Sequence, residues 1–74
     1  MPARLSKIET VAAQYGITIS KPTGRGSHWK AKKPGYRTYP IPAHKGVKTE
    51  IADKYINGFC RNFGIDADEF KSKL

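Results

Sequence analysis

Between Lys21 and Thr49 the chain contains no aspartate and no glutamate, an acid-free span covering more than a third of its 74 residues. Other scarcities narrow the field further. Cys60 is the only cysteine, so no internal disulfide can form, and it reads as a small buried hydrophobe on a helix. The two histidines, His28 and His44, are separated by fifteen residues, and the carboxylates nearest His44 belong to a helix surface. That leaves no metal-binding set, and no cofactor is expected. Gly24 and Gly26 lack the following Lys-Ser/Thr pair of a phosphate-binding loop. Residues 1–15 lack the apolar run of a signal peptide, and no stretch approaches a membrane span. The expectation is therefore a protein of a reducing cytoplasm with no membrane partner.

What is present is positive charge, and its placement tells more than its size. The net charge is +8. Eight basic residues fall inside the acid-free span: Lys21, Arg25, Lys30, Lys32, Lys33, Arg37, Lys45 and Lys48. The rest of the chain balances six basic residues against six acidic ones, so the whole excess lies in the middle. A concentrated excess is the electrostatic footprint of a surface that meets a polyanion. The segment reads as strands and loops, which disfavours an anionic membrane, because membrane-surface binders are typically basic amphipathic helices.

Hydrophobic spacing supplies the scaffold. Leu5, Ile8, Val11/Ala12 and Tyr15 recur at helical spacing and Gly16 supplies a stop, which predicts a first helix over roughly residues 3–15. Pro2 suits its first turn, and the capping-box spelling Ser6-x-x-Glu9 offers a later start. "ITIS" at 17–20 alternates as a short strand. "SHWKAKK" and "YRTYPI" flank Pro34-Gly35, a type II turn pairing, and so form a hairpin. Pro40 and Pro42 end the second of these strands or confine it to an edge.

With Lys33 opposite Tyr36, alternation puts Trp29, Ala31 and Thr38 on one face. His28, Lys30, Lys32, Arg37 and Tyr39 then share the other, although a one-residue slip would rearrange both faces. A second helix is expected over Lys48–Phe63, with Ile51, Tyr55, Ile56, Phe59 and Phe63 facing in and Gly58 allowing close packing. Asp66 caps a final short helix through Phe70. The predicted fold is α+β in the order α-β-β-β-α: one domain over residues 1–74, with a three-stranded antiparallel sheet on two helices and a short C-terminal helix.

An enzyme built from this chain would have to use histidine, supported by Ser, Tyr, Lys and Arg, because the basic region holds no paired carboxylates. Cleavage of RNA needs little more. The substrate's own 2′-hydroxyl is the nucleophile, so the protein has to position a phosphodiester, move a proton and stabilise extra negative charge. Imidazole suits the proton step, while Lys and Arg suit the charge. His28, set in "GSH" within the acid-free span, is the candidate acid/base. Lys30, Lys32, Lys33 and Arg37 are candidate phosphate contacts together with Lys45, and Arg25 or Ser27 could touch the scissile group. The bland readings stand beside these. His28 can be a polar residue opening a strand, His44 reads as a turn histidine, and Trp29 reads as core. Tyr39 fits either use, and the lysines can simply guard an exposed sheet edge.

Taken in order, several elements resemble the HicA toxin family. They are the helix ending at Gly16, Gly26-Ser27-His28, "KKPG" at the turn, Thr38, Pro40, Pro42-x-His44 and a later helix ending "FGI". The similarity runs over roughly residues 4–70. Three departures accompany it: the Gly-Thr-Leu that usually opens the second helix is missing around Thr49–Ala52, the segment Val47–Gly64 is about one helical turn longer than expected, and Ala31 stands where a larger apolar residue is usual. The resemblance implies a fold like the double-stranded-RNA-binding domain and an mRNA endonuclease, with His28 as its catalytic histidine. It also implies a HicB-type antitoxin partner. Against this stand two readings from other classes: a noncatalytic module that binds RNA through the same cationic sheet, and an adaptor for an acidic protein.

Overall fold

The computed structural model describes residues 2–22 and 28–74. Its elements in chain order are β1 (Ala3–Arg4), α1 (Leu5–Ala13), β2 (Thr18–Ser20), β3 (His28–Lys32) and β4 (Tyr39–Pro42), followed by β5 (Glu50–Ile51), α2 (Asp53–Asn62) and α3 (Ala67–Ser72). One 3-10 turn, Gly46–Lys48, precedes β5. The α+β order and the three-stranded antiparallel sheet are as the sequence predicts, with β3 in the centre between β2 and β4.

Helix α1 buries Leu5, Ile8, Val11 and Ala12 on one side. It starts at Leu5, whose backbone N–H donates to the Thr49 carbonyl at 2.9 Å. The Ser6–Glu9 capping box is not used: Ser6 lies inside the helix, and its carbonyl accepts from the Thr10 hydroxyl at 3.0 Å. At the other end Gly16 sits at φ 76°, a region open to glycine. Its N–H donates to Ala13 and that of Ile17 to Ala12, the paired bonds of a Schellman stop. The chain is thereby turned straight into β2.

Two sequence expectations need correction. The first is the hairpin register. The Pro34-Gly35 turn forms, with Tyr36 N–H donating to the Lys33 carbonyl at 3.0 Å and Gly35 at φ 84°. The ladder, however, pairs Ala31 with Tyr39, Lys30 with Pro40, Trp29 with Ile41 and His28 with Pro42. That is one residue out of step with a ladder starting at Lys33 and Tyr36. Burial explains the shift: the observed register puts Ile41 and Tyr39 on the core side beside Trp29 and Ala31, whereas the expected one would expose Ile41. Tyr36, Arg37 and Thr38 leave the ladder. The Tyr36 ring lies 5.9 Å from that of Phe63, and the Arg37 carbonyl accepts from Asn62 Nδ2 at 2.8 Å.

The second correction concerns the helix expected over Lys48–Phe63. Its first part is extended: Glu50 and Ile51 pair with Arg4 and Ala3 in a small antiparallel sheet, and the helix begins only at Asp53. Ile51 is buried as expected, but from a strand. Tyr55, expected to face in, is 37% exposed. The short terminal helix does start at Asp66, whose carboxylate accepts from the N–H groups of Asp68 and Glu69. In β4, the prolines leave only Tyr39 and Ile41 with N–H groups, and these serve the β3 ladder, so the outer edge offers carbonyls alone. Such an edge is poorly suited to recruiting a further strand.

One apolar cluster holds these elements together, with Phe59, Phe63, Phe70, Leu5 and Ile56 almost wholly enclosed. Gly58 marks its tightest join. A Cβ built there would meet the Tyr39 hydroxyl oxygen at 2.5 Å, and that hydroxyl donates to the Tyr55 carbonyl at 3.2 Å. Alanine in mid-helix ordinarily gains about 1 kcal/mol over glycine. Here Gly58→Ala should instead destabilise the fold by about 1–2 kcal/mol, because α2 is pressed against a sheet side chain. Chemical denaturation of Gly58→Ala, Tyr39→Phe and the double variant checks this. The double variant should recover most of the loss, since the next contact, with the ring, is at 3.4 Å.

Candidate nucleic-acid interface

Strand β3 alternates exposed and buried residues along its whole length. Trp29 and Ala31 enter the core, so His28, Lys30 and Lys32 stand on the opposite, open face of the sheet. The neighbouring strands complete that face. On β2, Thr18 and Ser20 are exposed and pair with Lys32 and Lys30. On β4, Pro40 and Pro42 pair with Lys30 and His28. The result is a single file of one imidazole and two ammonium groups, bordered by hydroxyls on one side and proline rings on the other.

The remaining candidates spread around this file. Lys33 lies just past β3, with its ammonium 5.0 Å from the centre of the Tyr36 ring. Arg37 is exposed in the segment beyond the turn. Lys45 is exposed past the other end of β4, three residues beyond the partner of His28, and its backbone N–H donates to the Thr49 hydroxyl at 2.7 Å. Arg25 and Ser27 lie outside the described residues. The structure thus groups His28, Lys30 and Lys32 directly, and sets Lys33 and Arg37 beyond one end and Lys45 beyond the other.

Tyr39, expected on the cationic face, belongs to the core side. Its ring meets Phe59 edge-on at 6.0 Å, and burial raises its hydroxyl pKa, helped by the nearby Tyr55 and opposed by Arg61. Cys60 is buried, and burial likewise pushes its thiol up, Asp66 adding to the effect and Lys71 opposing it. A thiol held protonated in this way is a poor nucleophile. Sequence reasoning missed Thr18, Ser20, Pro40 and Pro42. The first two were within reach: buried Ile17 and Ile19 leave the alternate residues of "ITIS" facing out. A cavity of about 470 Å³ lies elsewhere, lined by residues that include Arg4, Lys7, Glu50, Asp53 and Lys71. It mixes both signs of charge and contains none of the candidate residues.

Among the described residues no helix is long and apolar enough to cross a membrane. Comparison of the chain with protein-family models, curated proteins and solved structures found no match in any of the three.

Proposed function

We propose that this chain is a metal-independent RNA endonuclease, the HicA-like toxin of a toxin–antitoxin pair, with His28 as its acid/base and mRNA as its substrate. The observation that carries this reading is the position of His28: exposed, opening the central strand, and on the same face as Lys30 and Lys32 in a region without acids. The Gly-Ser-His resemblance supports the toxin assignment and the HicB-type antitoxin as partner.

The chemistry balances with one imidazole. His28 takes the proton of the 2′-hydroxyl as that oxygen bonds to phosphorus. The bond from phosphorus to the 5′ oxygen then breaks, and the imidazolium returns the proton to that leaving oxygen. The products are a 2′,3′-cyclic phosphate and a 5′-hydroxyl. Lys30 and Lys32 stabilise the added negative charge on the phosphoryl oxygens.

Incubating the purified protein with RNA in excess EDTA tests the proposal. Cleavage should persist, leave cyclic-phosphate ends, and vanish when the substrate carries 2′-deoxy or 2′-O-methyl sugars throughout. RNA that is bound but left intact would make the chain a binding module instead. RNA that is neither bound at low salt nor cut would point to an acidic protein partner.

A further inference from the structure

We propose that the nucleic acid taken by this sheet is a single RNA strand laid along β3, gripped through its phosphates. The inference rests on the reading of the face as an RNA site and names the form of RNA it takes. Residues two apart on an antiparallel strand are separated by about 6.8 Å. His28, Lys30 and Lys32 follow that interval in one line. It is comparable to the step between neighbouring phosphates of an extended single strand, so Lys30 and Lys32 each meet one phosphate and His28 stands beside the next. The borders of the file carry no charge: Ser20 and Thr18 offer hydroxyls to ribose or phosphate oxygens, and Pro40 and Pro42 offer flat apolar rings to sugars and bases.

A duplex asks for a different surface. Recognition of A-form helix by shape uses contacts to backbones across a groove, so it needs more than one row of donors. Two of the three described helices are acidic where they begin. Helix α2 opens with Asp53, whose carboxylate is engaged by Lys71 at 2.9 Å, and α3 opens with Asp66, Asp68 and Glu69. Acidic helix N-termini repel the phosphates that such ends otherwise attract. Of the described basic residues in the acid-free span, Lys30 and Lys32 stand in line with His28 on β3, while Lys33 and Arg37 lie beyond one end of that line and Lys45 beyond the other.

The experiment uses the full chain and a 2′-O-methyl RNA of about 12 nucleotides, which cannot be cut through its 2′ position. It is offered single-stranded and annealed to its complement, and affinity is measured against salt. The single strand should bind about tenfold or more tightly, and Lys30→Gln and Lys32→Gln should each flatten the logarithmic salt slope by about 0.7. Lys7→Gln on α1 and Lys54→Gln on α2 should leave that slope unchanged. Equal or tighter duplex binding, or a slope that responds to Lys7 and Lys54 but not to Lys30 and Lys32, would overturn the trajectory. The two proposals fail separately. Single-strand binding with no cleavage of ordinary RNA removes the nuclease and keeps the track. Cleavage that depends on His28 but prefers duplex removes the track and keeps the nuclease.

Discussion

His28→Ala should cut RNA roughly 10²–10⁴-fold more slowly than the unaltered protein, the range that a positioned general acid or base contributes. The loss should fall on the turnover step. Lys30 and Lys32 remain on the same face, so phosphate affinity persists while the proton has no carrier. Folding should be nearly untouched, because His28 is exposed and opens its strand, where substitutions ordinarily shift stability by no more than about 0.5 kcal/mol. Three measurements belong together: the cleavage rate in EDTA, the thermal midpoint and RNA affinity. In cells, induction of the unaltered chain should arrest growth, and the alanine variant should relieve that arrest. Equal cutting by the two proteins, with both folded, would remove His28 from the chemistry and with it the nuclease reading.

The lysines on that face are expected to act by a different route, so the two effects can be told apart. An ammonium group beside a phosphate strengthens binding of substrate and transition state alike unless it meets charge that appears only as the bond breaks. On the proposed reading Lys30 and Lys32 line the file on which RNA rests, so their removal should show first in affinity and in salt dependence. His28 carries no such signature. A variant that loses rate at unchanged salt slope has lost a proton carrier, and one that loses slope has lost a phosphate contact.

How much of this is legible in the sequence depends on how local each signal is. Helix α1 and its stop at Gly16, the cap at Asp66 and the Pro34-Gly35 turn are written in short spellings with near-neighbour physics, and all of them form. The alternation of His28, Lys30 and Lys32 against Trp29 and Ala31 is equally local and put the right residues on the open face. The side taken by Tyr39 was not legible in this way. It depends on register, and register was decided by the burial of Ile41 beneath a sheet whose partner helices lie far along the chain. The extended Glu50–Ile51 was hidden for a related reason. Ile51 suits a buried helix position as well as a buried strand, and only its pairing with Ala3 some 48 residues earlier separates the two.

The largest stability effect is expected at Phe59. Its side chain is 2% exposed, and its ring lies 5.0 Å from that of Phe63, 5.3 Å from Phe70 and 6.0 Å from Tyr39. It therefore joins α2, α3 and the first residue of β4 in one cluster. Phe59→Ala removes the shared member of these ring pairs and leaves a cavity that three separate elements would have to collapse, a change costing roughly 3–5 kcal/mol. A chain of 74 residues has a total stability of only about 4–11 kcal/mol, so the variant should be partly or wholly unfolded near physiological temperature. Phe59→Leu keeps most of the volume and should cost about 1–1.5 kcal/mol. Urea denaturation followed by the single tryptophan, Trp29, reads both changes from the sheet that carries the candidate site. If Phe59→Ala lowered the midpoint no more than Phe59→Leu, the aromatic cluster would not be what fixes the helices to the sheet. If instead Phe59→Ala, assayed at a temperature where it is still folded, lost RNA cleavage while Phe59→Leu retained it, the proposed activity would need β4 pinned on α2, since β4 supplies the prolines that border Lys30 and His28.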